Sequence, residues 1–137
     1  MIRVMVVDDH EFVRSAMVEL IDAADDMRVV SEAENGADAL PAARDTDAEV
    51  VLMDLSMPVM NGIDATRQLV AELPRIRVIV LTTSTKGQDV CDAAAAGAVG
   101  FLKKGADPDD VLDAIRAAGT GGTAWDRRSA EILRSVC

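Results

Sequence analysis

Aromatic residues are nearly missing from this chain. Two Phe, one Trp and no Tyr occur in 137 residues, so the core must be built from Val, Ile, Leu, Met and Ala. Positive charge is also scarce: Lys plus Arg number 14 against 24 for Asp plus Glu, a formal charge of −10. That balance repels nucleic acid, and this stretch is not expected to grip DNA itself. Most of the acids read as ordinary solvated surface. There are two cysteines, Cys91 and Cys137, and their spacing suggests neither a metal site nor a disulfide framework. A reduced, cytoplasmic chain is expected. No apolar run approaches the roughly 20 residues that span a bilayer, and the N-terminus enters a strand at once without a signal peptide, so no membrane association is expected. No repeat or low-complexity segment is present. Also missing is a glycine- or hydroxyl-rich phosphate loop after the first strand, which argues against a cofactor binder of the flavodoxin kind.

The length and the 50% apolar content describe one domain with a proper core. The chain is organised around Val50-Val51-Leu52-Met53-Asp54, a continuous apolar run that stops at a carboxylate, with Pro58 closing the loop behind it. Such a run reads as a buried parallel strand, and it places Asp54 at a sheet edge, where open α/β proteins carry their chemistry. Ile2 to Val7 is a second run of this kind and ends in Asp8 and Asp9. Three acids on two strand ends are tolerable only with positive charge among them. A divalent metal is the expected source, and Asp54 the expected nucleophile for phosphoryl transfer.

Strand and helix alternate five times. Strands are expected at residues 2–7, 27–31, 49–53, 77–81 and 98–103. The first helix runs to about Ala24 with Phe12, Val13, Met17, Leu20 and Ile21 on its inner face. The second contains Pro41 and is expected to be short or kinked. The third opens at Asn61-Gly62 and ends before Pro74. The fourth, Gln88 to Ala96, is thin, with Val90 and Cys91 its only larger apolar anchors, and Gly97 stops it. Asp107-Pro108-Asp109-Asp110 starts the fifth, with a capping Asp and Pro at the first helical position. The alternation predicts a doubly wound, three-layer (βα)5 domain of flavodoxin-like topology, strand order 2-1-3-4-5, over residues 1–118. That order makes the first and third strands neighbours and gathers Asp8, Asp9 and Asp54. Residues 119–126, with Gly119-Thr120-Gly121-Gly122, read as a flexible linker. Residues 127–137 read as a helix leading to a C-terminal output domain outside this chain.

Short motifs fall in order at strand ends: Asp8-Asp9; Asp54 with Met57-Pro58 and Asn61-Gly62; Thr82; and Gly100-Phe101-Leu102-Lys103-Lys104. From about Ile2 to Ala118 the chain resembles a response-regulator receiver domain of two-component systems. Asp9-His10, Leu81-Thr82-Thr83 and Ala96-Gly97-Ala98-Val99-Gly100-Phe101-Leu102 resemble the subfamily with a LuxR-type helix-turn-helix output domain.

The resemblance implies that Asp54 accepts a phosphoryl group from a sensor histidine kinase. It implies Mg²⁺, or Mn²⁺, held by Asp9, Asp54 and the Ser56 carbonyl, with Asp8 acting through a bound water. Lys104 would place its ammonium on a phosphoryl oxygen, while Lys103 faces solvent. Gly105, where Pro or Asp is usual, leaves the loop after Lys104 freer. Thr82 would be the switch hydroxyl, moving inward and drawing its loop along, and Phe101 would turn inward behind it. Ser56 and Ser84 stand where side chains gate attacking water. His10 is read as a helix-start residue, not a ligand. Phosphate-promoted homodimers are implied, through the first and fifth helices or the fourth-helix face, with DNA contacted only by the domain beyond this chain. Rival readings are a degenerate receiver that acts by binding alone, and a phosphatase with an aspartyl nucleophile. The phosphatase would want a second acid where Ser56 stands.

Overall fold

The computed structural model describes residues 1–137. The apolar runs form strands β1 (Ile2–Val7), β2 (Met27–Ala33), β3 (Val50–Asp54), β4 (Arg77–Thr82) and β5 (Gly100–Lys103). Between and after them lie α1 (Glu11–Asp22), α2 (Gly36–Thr46), α3 (Gly62–Glu72), α4 (Gly87–Ala96) and α5 (Pro108–Gly119). All pairings are parallel, and the order 2-1-3-4-5 agrees with expectation. A two-residue strand β6 (Ala124–Trp125) extends the sheet beyond β5, and α6 (Arg127–Ser135) follows it. Residues 119–126 therefore include a sheet strand.

Side-chain alternation divides the interior into two layers. Val4, Val6, Val50, Leu52, Ile79 and Leu81 pack toward Ile21 of α1 and Val111 and Ile115 of α5. Met5, Val7, Val51, Met53 and Val78 pack toward Ala39 and Ala43 of α2 and Leu69 of α3. A third cluster joins Leu55, Val80 and Phe101 to Val90 and Ala93 of α4. Helix α4 is anchored by Val90 and two alanines, Ala93 and Ala96.

Helix starts follow local chemistry. Asn35, Asn61 and Asp107 each accept a backbone N–H from the first turn of α2, α3 and α5. Gly97, at φ +106°, ends α4 in the left-handed conformation. Helix α2 is not short: it runs 11 residues with Pro41 inside. Pro41 is exposed, and buried Ala39 and Ala43 hold the other face. Phe12 is not on the inner face of α1. It is 87% exposed, and Arg14 is buried in that region instead.

Cys91 and Cys137 are joined in a disulfide with their Cα atoms 5.5 Å apart, which corrects the expectation of two free thiols. The pair lies 46 residues apart in sequence. Spacing carried no sign of it, because it arises only when α6 folds back onto α4.

Candidate functional site

The site sits at the C-terminal edge of the sheet, where β1 and β3 are neighbours. Asp54 is the last residue of β3 and Asp8 follows β1; each is 4% exposed. Asp8, Asp9, His10 and Asp54 each offer a ligand atom within 4.8 Å of the others. Lys104, just past β5, reaches into the group: its Nζ lies 3.0 Å from Asp8 Oδ2 and 3.3 Å from Asp54 Oδ1. The Lys104 backbone N–H donates to the Thr82 carbonyl at 2.8 Å, so main-chain pairing fixes where the side chain begins. Gly105 adopts φ +88° directly afterwards, a conformation that favours glycine. Lys103 is exposed.

Several contacts set the carboxylates in place. Asp8 Oδ1 accepts the His10 N–H at 2.8 Å, and the Asp8 carbonyl accepts a 2.7 Å hydrogen bond from Arg14 Nη1. His10 is the residue before α1 and its side chain makes no capping bond; its Nδ1 lies 3.2 Å from Asp9 Oδ1. Helix α3 begins against the strand end so closely that a Cβ on Gly62 would lie 2.0 Å from the Asp54 carbonyl oxygen. Only glycine fits there.

Burial, then the negative charge of Asp8, pushes the Asp54 carboxyl above its ordinary value; Lys104 opposes this without cancelling it. Burial alone would lower Lys104, but its hydrogen bond to Asp8 and the charge of Asp54 outweigh burial and raise it. Asp54 Oδ2 is buried and has no hydrogen-bond partner. One ammonium among three acids, with a carboxylate oxygen left bare, is a donor set that fits a hard divalent cation.

Thr82 ends β4, buried, and its Oγ1 accepts the Ser84 N–H at 3.1 Å. Phe101 is 1% exposed and lies opposite Trp125 in the β5–β6 register. Ser56 is exposed at the mouth of the loop after Asp54, and Ser84 Oγ donates to the Asp89 carboxylate. Asp8, Asp9, Asp54 and Lys104 are thus brought together. Thr82 and Lys104 are tied through the main chain, and Phe101, expected to turn inward on switching, already lies inward against Val90 and Ala93 of α4.

Sequence reasoning missed Arg14. Its Nε also lies 3.2 Å from Glu32 Oε1 on β2, so it anchors the Asp8 loop to the sheet. The readable sign was a cation sharing a helical stripe with Met17, Val18 and Ile21.

Residues 4–116 match the model of the response regulator receiver domain. The response regulator UvrY of Escherichia coli (strain K12) is 40% identical over 121 residues, which cover 88% of this chain and 56% of that protein. The transcriptional regulatory protein LiaR of Bacillus subtilis (strain 168) is likewise 40% identical over 121 residues, covering 88% of this chain and 57% of its own. The chain spans about half the length of these curated relatives. A LuxR-family two-component response regulator from Aurantimonas sp. SI85-9A1 superposes with a TM-score of 0.89 at 32% identity, covering 96% of this chain and 94% of that one. No helix here is long and apolar enough to cross a membrane. The acid cluster, the strand order and these matches agree, and the chain belongs to the response regulator receiver domains, a family of regulatory switches.

Proposed function

We propose that Asp54 is the phosphoacceptor of this switch and that its donor is a phosphohistidine on a sensor histidine kinase. A carboxylate oxygen of Asp54 attacks phosphorus in line. The P–N bond to the imidazole breaks as the P–O bond forms, giving an aspartyl-phosphate. The observation that carries this reading is the pairing of Lys104 with both buried acids while Asp54 Oδ2 stays unpartnered.

Mg²⁺ or Mn²⁺ would be held by Asp9, Asp54 and the Ser56 carbonyl, with Asp8 acting through water. When bound, it neutralises charge on the transferred oxygens. Lys104 is positioned to pass from Asp8 and Asp54 to a phosphoryl oxygen. Thr82 can donate its hydroxyl proton to that oxygen, and because its Oγ1 also accepts the Ser84 N–H, the switch is coupled to the loop before α4. The added charge biases a two-state equilibrium of that loop, α4 and Phe101.

The protein works in the cytoplasm on this reading. Residues 1–118 form the receiver and 127–137 lead to an output domain, which alone contacts DNA. With α6 lying on α4, homodimers form through the open face of α1 and α5. The chemistry is confined to phosphorylation and dephosphorylation of the chain's own Asp54.

The test is incubation with acetyl phosphate and Mg²⁺ followed by intact-mass measurement. One phosphoryl adduct, absent from Asp54→Asn, is expected. No adduct on the unaltered chain refutes the acceptor role and leaves control by binding alone; turnover of many phosphoesters would mark a phosphatase.

A further inference from the structure

The chemistry left over by the acceptor site lies on the seam between α4 and α6. Helix α6 has nine residues and only Ser129 is buried. Ile132 and Leu133 rest half-buried on the cluster of Val90, Ala93 and Phe101. A helix of that length and polarity is marginal without support, and the Cys91–Cys137 disulfide supplies a covalent tie to α4.

The docked segment also braces the parts that phosphorylation is proposed to move. The Arg128 guanidinium donates to the Thr85 carbonyl in the loop after Thr82. The Asp126 N–H donates to the Phe101 carbonyl at 3.2 Å. Trp125 is paired with Phe101 across the sheet edge. One tether therefore constrains the β4–α4 loop, α4 and the Phe101 strand together.

We propose that Cys91 and Cys137 form a redox modification site whose substrate is a dithiol reductant, and that opening it releases α6 from α4 and speeds phosphorylation of Asp54. Cys137 is exposed and Cys91 half-buried, so the reductant's thiolate attacks Cys137 Sγ. The Cys91–Cys137 bond breaks and Cys91 leaves as a thiolate, which takes a proton from water. The reductant's second thiol then displaces Cys137 from the mixed disulfide, and the reductant departs as a disulfide. Two electrons pass to the protein and two protein thiols result. Cys91 and Cys137 are the only cysteines among these 137 residues. In a reducing compartment a protein disulfide is usually transient and redox-sensing, which suits a latch better than a permanent staple. The effect on phosphorylation rests on the receiver reading above; the release of α6 does not.

Three measurements on the 137-residue chain, air-oxidised or treated with dithiothreitol, test this. Alkylation by iodoacetamide should add two groups after reduction and none before. Amide hydrogen exchange over residues 87–96 and 127–136 should become about tenfold faster on reduction, and Cys137→Ser should match the reduced chain without any reductant. Phosphorylation by acetyl phosphate should rise several-fold in both. Two alkyl groups on the air-oxidised chain overturn the site. Equal exchange in the two redox states overturns the release. Equal phosphorylation rates overturn the regulation. If Asp54 takes no phosphate in either state, the receiver reading fails, and the exchange result still decides the seam.

Discussion

Asp54 and Lys104 show how one pocket holds opposed demands. The Asp54 carboxyl titrates above its ordinary 3.8 because it is buried beside Asp8. The fold therefore favours its protonated form. That contribution to stability is complete below the ordinary value and is lost as pH rises through the raised one. Asp54→Asn should accordingly melt higher than the unaltered chain at pH 7, with the two midpoints converging toward pH 3; a lower midpoint at pH 7 would contradict this account. Lys104 keeps Asp8 at 3.0 Å in that variant, so its charge is not stranded. Lys104 itself is raised above 10.5, so its stabilising contribution is complete below that value and declines only above it. Arg14 acts one step away, through the Asp8 carbonyl. Arg14→Met keeps the bulk but frees that loop, and Mg²⁺ affinity measured by calorimetry should fall roughly tenfold, the usual effect of removing an outer partner of a metal site.

Among the elements, α3 is held by close backbone contact and α4 by small side chains. Gly62 lets α3 start directly on the Asp54 backbone, where any side chain meets a carbonyl oxygen. Backbone has no rotamer with which to give way, so Gly62→Ala must displace the helix start. It should cost about 2–3 kcal/mol in urea unfolding and slow phosphorylation as well. Loss of stability with no loss of rate would mean that the start of α3 does not position Asp54. Helix α4 buries only Val90, Ala93 and Ala96. Once the seam is reduced, its amides should exchange faster than those of α1, which buries Ile21 in the largest cluster. Comparable protection in α1 and α4 would count against α4 as the moving part.

At the scale of the whole molecule, Asp8, Asp9 and Asp54 meet where the sheet ends, and a cation there should stabilise the entire fold. At Mg²⁺ about 100 times its Kd, unfolding should become about 2.7 kcal/mol harder. Asp9→Ala should abolish most of that gain while leaving the metal-free midpoint little changed, since Asp9 is exposed. An equal Mg²⁺ effect in both proteins would place the ion elsewhere. Trp125 belongs to β6 and pairs with Phe101, not with the acids, so circular dichroism is the readout to use.

The five strands, their order and the gathering of Asp8, Asp9 and Asp54 were legible in the sequence. Buried parallel strands write continuous apolar runs, and each acid ends one. Alternation along those runs also fixes which residue faces which helix layer. Other features depended on segments distant in sequence. Phe12 fits the periodicity of an inner helical face, yet the packed helix turns it to solvent and buries Arg14. The disulfide and the β6–α6 unit on α4 come from a chain returning across 46 residues, and no local pattern records such a return. Period and punctuation are local properties that a sequence states directly. Which surfaces meet is decided by the summed fit of the whole, and only the tertiary structure supplies it.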